Sequence, residues 1–176
     1  MKTGRQSLST RFARAGLLAG CGLVVILFSG FEQPAVRVQG ADSVGPRSLE
    51  KPTQTAVVRD YLYAWKSLSA AFEANRAELL DAAFVGLAKE KLGGTVQEQQ
   101  QLGITTRYRD TSHDVKLVFY SPEGLSIQLL DTVEYEVQIL DHGQVEAIQH
   151  VHARYVAVLT PTEVRWKVRV FQAQPE

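Results

Sequence analysis

The sequence predicts an α+β domain: N-terminal helices packed on a curved antiparallel sheet, preceded by one transmembrane or signal segment. Three observations carry this. Val58, Leu62, Trp65, Leu68 and Phe72 recur at three- and four-residue spacing, which builds one apolar helical stripe. Beyond Gly103 the apolar period changes to two, the signature of half-buried strands. An uncharged run at residues 15–31 comes after a stretch that carries Lys2, Arg5, Arg11 and Arg14 and no acid.

The uncharged run has seventeen residues. It sits at the short end of the roughly 17–25 needed to span a bilayer and exceeds the roughly 7–15 of a signal-peptide core. The upstream cations favour a cytoplasmic N-terminus, so the chain beyond residue 31 is expected outside the cytoplasm. The expected location is a bacterial inner membrane, with a single pass through residues 15–31 and the domain in the periplasm or beyond. Two alternatives stay open: cleavage near Val38-Gln39-Gly40, giving a secreted protein, and lipidation at Cys21 within Leu18-Ala19-Gly20-Cys21. Residues 32–52 hold three prolines and two glycines without a sustained period and read as a flexible tether. The folded part is then expected over residues 53–176.

Cys21 is the lone cysteine, which excludes a disulfide framework and a cysteine-rich zinc module. Hydrophobic residues at 45% and charged residues at 22% exclude wholesale disorder. Residues 53–176 carry twelve basic and sixteen acidic side chains, a poor balance for a polyanion binder, so no nucleic acid is expected.

The first helix is expected from Thr53 or Thr55 to about Ala74. A second, at 75–92, would bury Leu79, Leu80, Ala83, Phe84, Leu87 and Ala88 and stop at Gly93-Gly94. Thr95-Val96-Gln97-Glu98 has the capping-box pattern and would open a short helix with solvated glutamines. Strands are expected at 113–120, 125–139, 145–159 and 163–171, with a shorter one near 104–109. Val115, Leu117 and Phe119 share one parity, as do Val145, Val151, Ala153, Tyr155, Ala157 and Leu159, and Val164, Trp166, Val168 and Val170. A three-residue turn Asp141-His142-Gly143 would pair Ile139 with Val145, Val133 with Val151 and Glu134 with His150. A two-residue turn would oppose Ile139 to Glu146 and swap faces. At the last turn, Leu159 is expected beside Val164 and Ala157 beside Trp166.

Together, Tyr61-Leu62-Tyr63-Ala64-Trp65 on a leading helix, the long strands, and the ending Arg154 to Leu159 with Val164-Arg165-Trp166-Lys167-Val168 after it resemble the nuclear transport factor 2-like (cystatin-like α+β) superfamily. Helices placed before all the strong strands are similar to its mitochondrial-import-motor-like and chloroplast-division-like branches. The resemblance implies a pocket between sheet and helices, lined here by Trp65, Phe84, Asp131, Tyr135, Tyr155 and Trp166. It also implies that a pocket acid can act as a general base, as in the isomerase and dehydratase members.

Asp131 is the candidate catalytic position, because its parity is that of Leu129 and Val133; an unpaired carboxylate there would titrate high. A bulge turning it to solvent, or a structural partner, is the plainer reading. His150 and His152 sit two apart on the polar parity, where a cross-strand pair with glutamate explains them without a metal. His113 and His142 read as turn residues. Arg154, Arg165, Lys167 and Arg169 share the outer face with the two histidines, with Arg154 near Arg169, and Phe171 is placed on that face too. No phosphate loop, dinucleotide fingerprint or Ser-His-Asp context occurs, and no cofactor or metal is called for. The leading expectation is a membrane-tethered, non-catalytic interaction or scaffold domain that binds a protein partner or a second copy through its outer sheet face. The alternative is a carrier of small apolar ligands, or a cofactor-free isomerase or dehydratase using Asp131.

Overall fold

The period-two stretches form one five-stranded sheet and the period-3.6 stretches lie against one of its faces, in a computed structural model that describes residues 33–39 and 45–174. The strands run β1 (Ala35–Gln39), β2 (Ile104–Tyr120), β3 (Ile127–Asp141), β4 (Gln144–Pro161) and β5 (Trp166–Gln174), and lie in that spatial order. β2 to β5 are an antiparallel meander, and β1 pairs in parallel with the outer edge of β2. The uncharged run, the lipidation motif and the basic N-terminus lie outside the described residues. No helix among the described residues is long and apolar enough to cross a membrane.

Helix α1 (Lys51–Ala74) starts with Pro52 in its first turn, where a missing N–H costs nothing. It ends at Asn75, whose left-handed backbone (φ 52°) closes the helix while its side-chain Nδ2 donates to Ile104 O at 2.8 Å. The buried side of α1 carries Val57, Tyr61, Ala64, Trp65, Leu68 and Phe72. These meet Leu129, Val133, Ala157, Leu159 and Val168 of the sheet in one core.

The helix expected at 75–92 is divided. A 3-10 turn (Ala77–Ala82) leads into a break at residues 83–85, extended at Val85. There Val85 N–H donates to Val168 O and Val168 N–H donates to Ala83 O, so the break covers the start of the β5 edge. Helix α2 (Gly86–Gln101) then runs straight through Gly93-Gly94, which do not stop it. Gly93 faces Ala77, with 3.9 Å between a would-be Cβ and the Ala77 Cβ. Thr95 caps nothing; its hydroxyl bonds back to Lys91 O. Among the glutamines, Gln99 is buried, not solvated: it donates to Phe72 O at 2.6 Å and to Asn75 Oδ1, and accepts from Thr106 Oγ1.

Ala35–Gln39 lies inside the stretch read as a tether, yet it forms a strand, with Gln39 Nε2 reaching the Asp114 carboxylate at 3.1 and 3.2 Å. Its five residues are all exposed, so backbone pairing rather than burial holds it.

Four extra residues interrupt the ladders, and each changes which way side chains face. The first separates Asp110 from Ser112 and the second separates Leu117 from Phe119. The second turns Phe119 outward and Tyr120 inward, against strict alternation. The third lies in β4. The β3–β4 turn has two residues, His142 (φ 47°) and Gly143 (φ 80°), not three. Glu146 is then skipped, so Ile139 meets Ala147, Val133 meets Ala153 and Glu134 meets His152. The face swap expected of a two-residue turn is undone by one bulged residue, except at Val145, which pairs with Leu140 and is exposed. The fourth lies in β5, between Val168 and Val170. It sets Leu159 against Val168 and Ala157 against Phe171, so Phe171 is inside. Val164 belongs to the four-residue turn and is 81% exposed.

Candidate functional site: a buried carboxylate–histidine–tyrosine cluster

Asp131 lies at mid-β3, the central strand, on the helix-facing side and without accessible surface. No bulge occurs beside it; its ladder partners are Val115 and Tyr155. One carboxylate oxygen, Oδ2, accepts from Tyr61 Oη at 2.9 Å and stands 2.7 Å from His113 Nδ1. Tyr61 is on the buried stripe of α1, so this contact ties the helix layer to the middle of the sheet.

His113 is mid-strand in β2 and 2% exposed, not in a turn. Its other ring nitrogen, Nε2, is 3.8 Å from Asp110 Oδ2, an ionic contact too long for a hydrogen bond. Asp110 and His113 are three apart and would face opposite ways on a regular strand. The bulge at Thr111 brings both to the inner face, Asp110 opposite Tyr135 and His113 opposite Val133. Burial opposes charging the His113 ring, but the neighbouring Asp110 and Asp131 carboxylates outweigh it and push its pKa up to about 9. At neutral pH the cluster therefore holds an imidazolium. Tyr61 is pushed well above the ordinary phenol value by burial and by the charge of Asp131, so it stays a donor.

Aromatic rings close the site. Trp65 packs against His113 at 5.3 Å, Tyr155 at 5.2 Å, Tyr135 at 5.7 Å and Phe171 at 5.3 Å between ring centroids. Tyr135 and Tyr155 share a hydroxyl–hydroxyl bond of 3.0 Å. Burial, first, and the neighbouring Tyr135 raise the pKa of Tyr155; burial raises that of Tyr108, to about 12. Among the described residues, the buried polar atoms without a hydrogen-bond partner are Trp65 Nε1, Asp110 Oδ1, His113 Nε2 and Asp131 Oδ1. Each belongs to this cluster or to the Trp65 ring tilted against its histidine.

Of the six expected pocket residues, Asp131, Trp65, Tyr135 and Tyr155 are gathered here. Phe84 is connected through Phe171, 5.9 Å away. Trp166 lies apart, against Tyr120. Asp110 is not legible as an inward residue, because the Thr111 bulge that turns it inward leaves no parity signal; His113 shares the parity of Val115 and Leu117, and Tyr61 lies on the buried side of α1, but nothing in the spacing shows that both meet Asp131. Two open surface grooves flank the β4–β5 turn, one beside Ala82 and Lys167 and one beside Asp60 and Tyr63; neither reaches Asp131. No group of three or more His, Cys, Asp or Glu side chains is placed to hold a metal among the described residues.

The expected basic outer face is partly dispersed. His150, His152, Arg154 and Arg169 are exposed. Arg154 lies opposite Gln174 rather than Arg169, because the β5 bulge and the wider turn shift the register. Arg165 folds over the Tyr63 ring at 4.1 Å, on the helix side, and Lys167 Nζ reaches round the edge to Asp81 O at 2.7 Å. What the outer face does carry is an apolar group: Phe119, Leu130, Val156, Val158 and Val170, in neighbouring rows of β2 to β5.

No family model matches the chain, and no curated protein matches it. Solved structures do match. The intermembrane space region of the chloroplast protein ARC6 is 18% identical, with 74% of this chain and 100% of that one covered and a TM-score of 0.59. A putative scytalone dehydratase from Novosphingobium aromaticivorans is 13% identical over 72% of this chain and 89% of that one, with a TM-score of 0.50. A putative dehydratase of the NTF2-like family from Streptomyces avermitilis is 13% identical over 69% and 98%, with a TM-score of 0.48. The likeness to the first two is one of fold, and this chain has the nuclear transport factor 2-like fold.

Proposed function

We propose that this domain is a non-catalytic protein-interaction module whose binding surface is the outer face of β2 to β5. The observation that carries this reading is a contrast of exposure. Asp131 has no accessible surface and is packed among rings, whereas no described helix covers the apolar group Phe119, Leu130, Val156, Val158 and Val170. A general base must reach a substrate proton within about 3 Å, and here protein atoms occupy that space. Uncovered apolar side chains with exposed cations nearby, Arg154 and Arg169, are what a partner surface offers. Both a dehydratase and an intermembrane-space region share the fold, so fold alone does not choose between chemistry and binding. With residues 15–31 as a membrane anchor, the module would present this face outside the cytoplasm.

Photo-crosslinkers placed singly at Val156, Val170 and, as a control, Glu90 on α2 test this reading in cells. Partner adducts are expected from the two sheet positions and not from Glu90, and Val158→Asp should abolish them. Equal adducts from all three positions would remove the reading.

One observation favours a second reading, a small-ligand carrier or an isomerase or dehydratase: unpartnered buried polar atoms converge on Asp131 and His113. That reading requires Asp131→Asn to change turnover or ligand affinity. The interaction reading requires partner capture to survive the same change.

A further inference from the structure

On the outer face, the strand registers set the side chains in rows that cross the sheet, since directly opposed residues share a face. One row runs Lys116, Leu130, Val156 from β2 to β4, and the next runs Phe119, Gln128, Val158, Val170 from β2 to β5. The uncovered apolar group is therefore a stripe laid across the strands. Three strand spacings make it about 14 Å long, and two rows make it about 7 Å wide. Beside the stripe the β2 edge is already paired, with β1 at residues 112–116 and with Pro46 at Tyr120, while Ala83 and Val85 engage Val168 of β5. Side chains rather than an open strand edge are what the sheet presents here. An α-helix crossing the strands matches that shape: ten residues rise about 15 Å, and apolar side chains at i, i+3 or i+4 and i+7 make a stripe of similar width.

The charge around the stripe is mostly of one sign. Lys116 ends the first apolar row, and the polar row next to it carries Arg37 on β1 and Arg154 on β4. Arg169, the residue skipped by the β5 bulge, stands beside Val170. All four cations are exposed, and no ion pair among the described residues includes any of them. The carboxylate in these rows, Asp114, accepts from Gln39 Nε2. Glu134 and Glu136 come only in the rows beyond, opposite His152 and His150. An excess of cations around an apolar stripe favours an anionic occupant.

We propose that the partner's binding element is an acidic amphipathic helix. It crosses β2 to β5 with its apolar stripe on Leu130, Val156, Val158 and Val170 and its flanking carboxylates toward Lys116, Arg154 and Arg169. This rests on the interaction reading and deepens it, because it gives the partner a chemistry. An anionic lipid surface also combines apolar and negative groups. It is a broad plane, however, whereas the apolar stripe is one helix wide and gives way to a polar row, so the helix is the better match.

The test titrates three synthetic helical peptides into the full chain in neutral detergent, followed by fluorescence anisotropy. The first has a leucine stripe flanked by glutamates, the second has the same stripe flanked by lysines, and the third has the glutamates with the stripe scrambled. The acidic striped peptide should bind at least about tenfold more tightly than the lysine peptide, and the scrambled one should bind as weakly as the lysine peptide or less. Lys116→Glu combined with Arg154→Glu should reverse the preference, and Val158→Asp should weaken binding of both striped peptides. Equal affinity for the acidic and lysine peptides overturns the inference. So does a preference that survives the double charge reversal, which would put the peptide elsewhere. Displacement of the acidic peptide by short-chain phosphatidylglycerol, but not by short-chain phosphatidylcholine, overturns it in favour of a lipid surface. If partner adducts at Val156 and Val170 persist alongside any of these results, the interaction reading stands and only the helix is lost. Equal adducts from Glu90 would remove that reading, and this inference with it.

Discussion

Asp131 shows how much one side chain's neighbours decide. On parity alone it is a carboxylate on an apolar face, expected to titrate high and to suit a base. In the structure a histidine ring and a phenol meet it at a single oxygen, so it is a partnered group inside the core rather than a free one. Asp131→Ala would leave charged His113 buried without its closest anion, and a loss of about 3–5 kcal/mol is expected in urea unfolding. The pH dependence has a definite sign. The folded His113 pKa of about 9 exceeds the ordinary value of 6.5. The folded state thus holds more protons than the unfolded state between these limits, and stability falls as pH rises through that window. The melting temperature should drop between pH 6.5 and 9, and His113→Gln should flatten that drop. Tyr61, Tyr108 and Tyr155, all raised, would act in the same direction only above about pH 10.

Among the elements, α2 carries the plainest lesson. Gly93-Gly94 read as a stop, because glycine favours a helix end. They lie mid-helix because the true break, at residues 83–85, is set by the β5 edge, which needed backbone partners. A Cβ at Gly94 would meet nothing within 4 Å, and its backbone is helical. Gly94→Ala should therefore stabilise the protein by roughly 1 kcal/mol in thermal or denaturant unfolding. If the pair did end a helix, the same change would destabilise. The strands carry a related lesson. Their existence and mean polarity were legible from alternating residues, but four bulges were not, since a bulged residue alters facing without altering composition. Deleting Thr111 should leave Asp110 and His113 two apart on a regular strand, both still on the inner face. The expected result is a His113 pKa that stays raised by NMR titration, whereas loss of the raised value would show that the bulge does more than set facing.

Across the molecule, the helices lie on one side of the sheet, and no described helix covers the other side. That division places candidate chemistry inside and candidate binding outside. It yields a prediction at this scale: Val156→Asp and Val158→Asp should leave the melting temperature within a few degrees of wild type, because neither side chain is in the core. The same changes should remove the partner adducts. A core aspartate substitution such as Leu129→Asp should instead prevent folding, as Leu129 has no exposure.

Local periodicity was enough to read the α+β class, the helix-then-meander order, the inward parity of Asp131 and the apolar stripe of α1. It could not supply the strand registers, the break before α2, the inward turn of Phe171 or the union of Asp110, His113, Asp131 and Tyr61. Those come from packing in three dimensions. They depend on single inserted residues and on which backbone edge lacked a partner, and neither is written in the spacing of apolar residues.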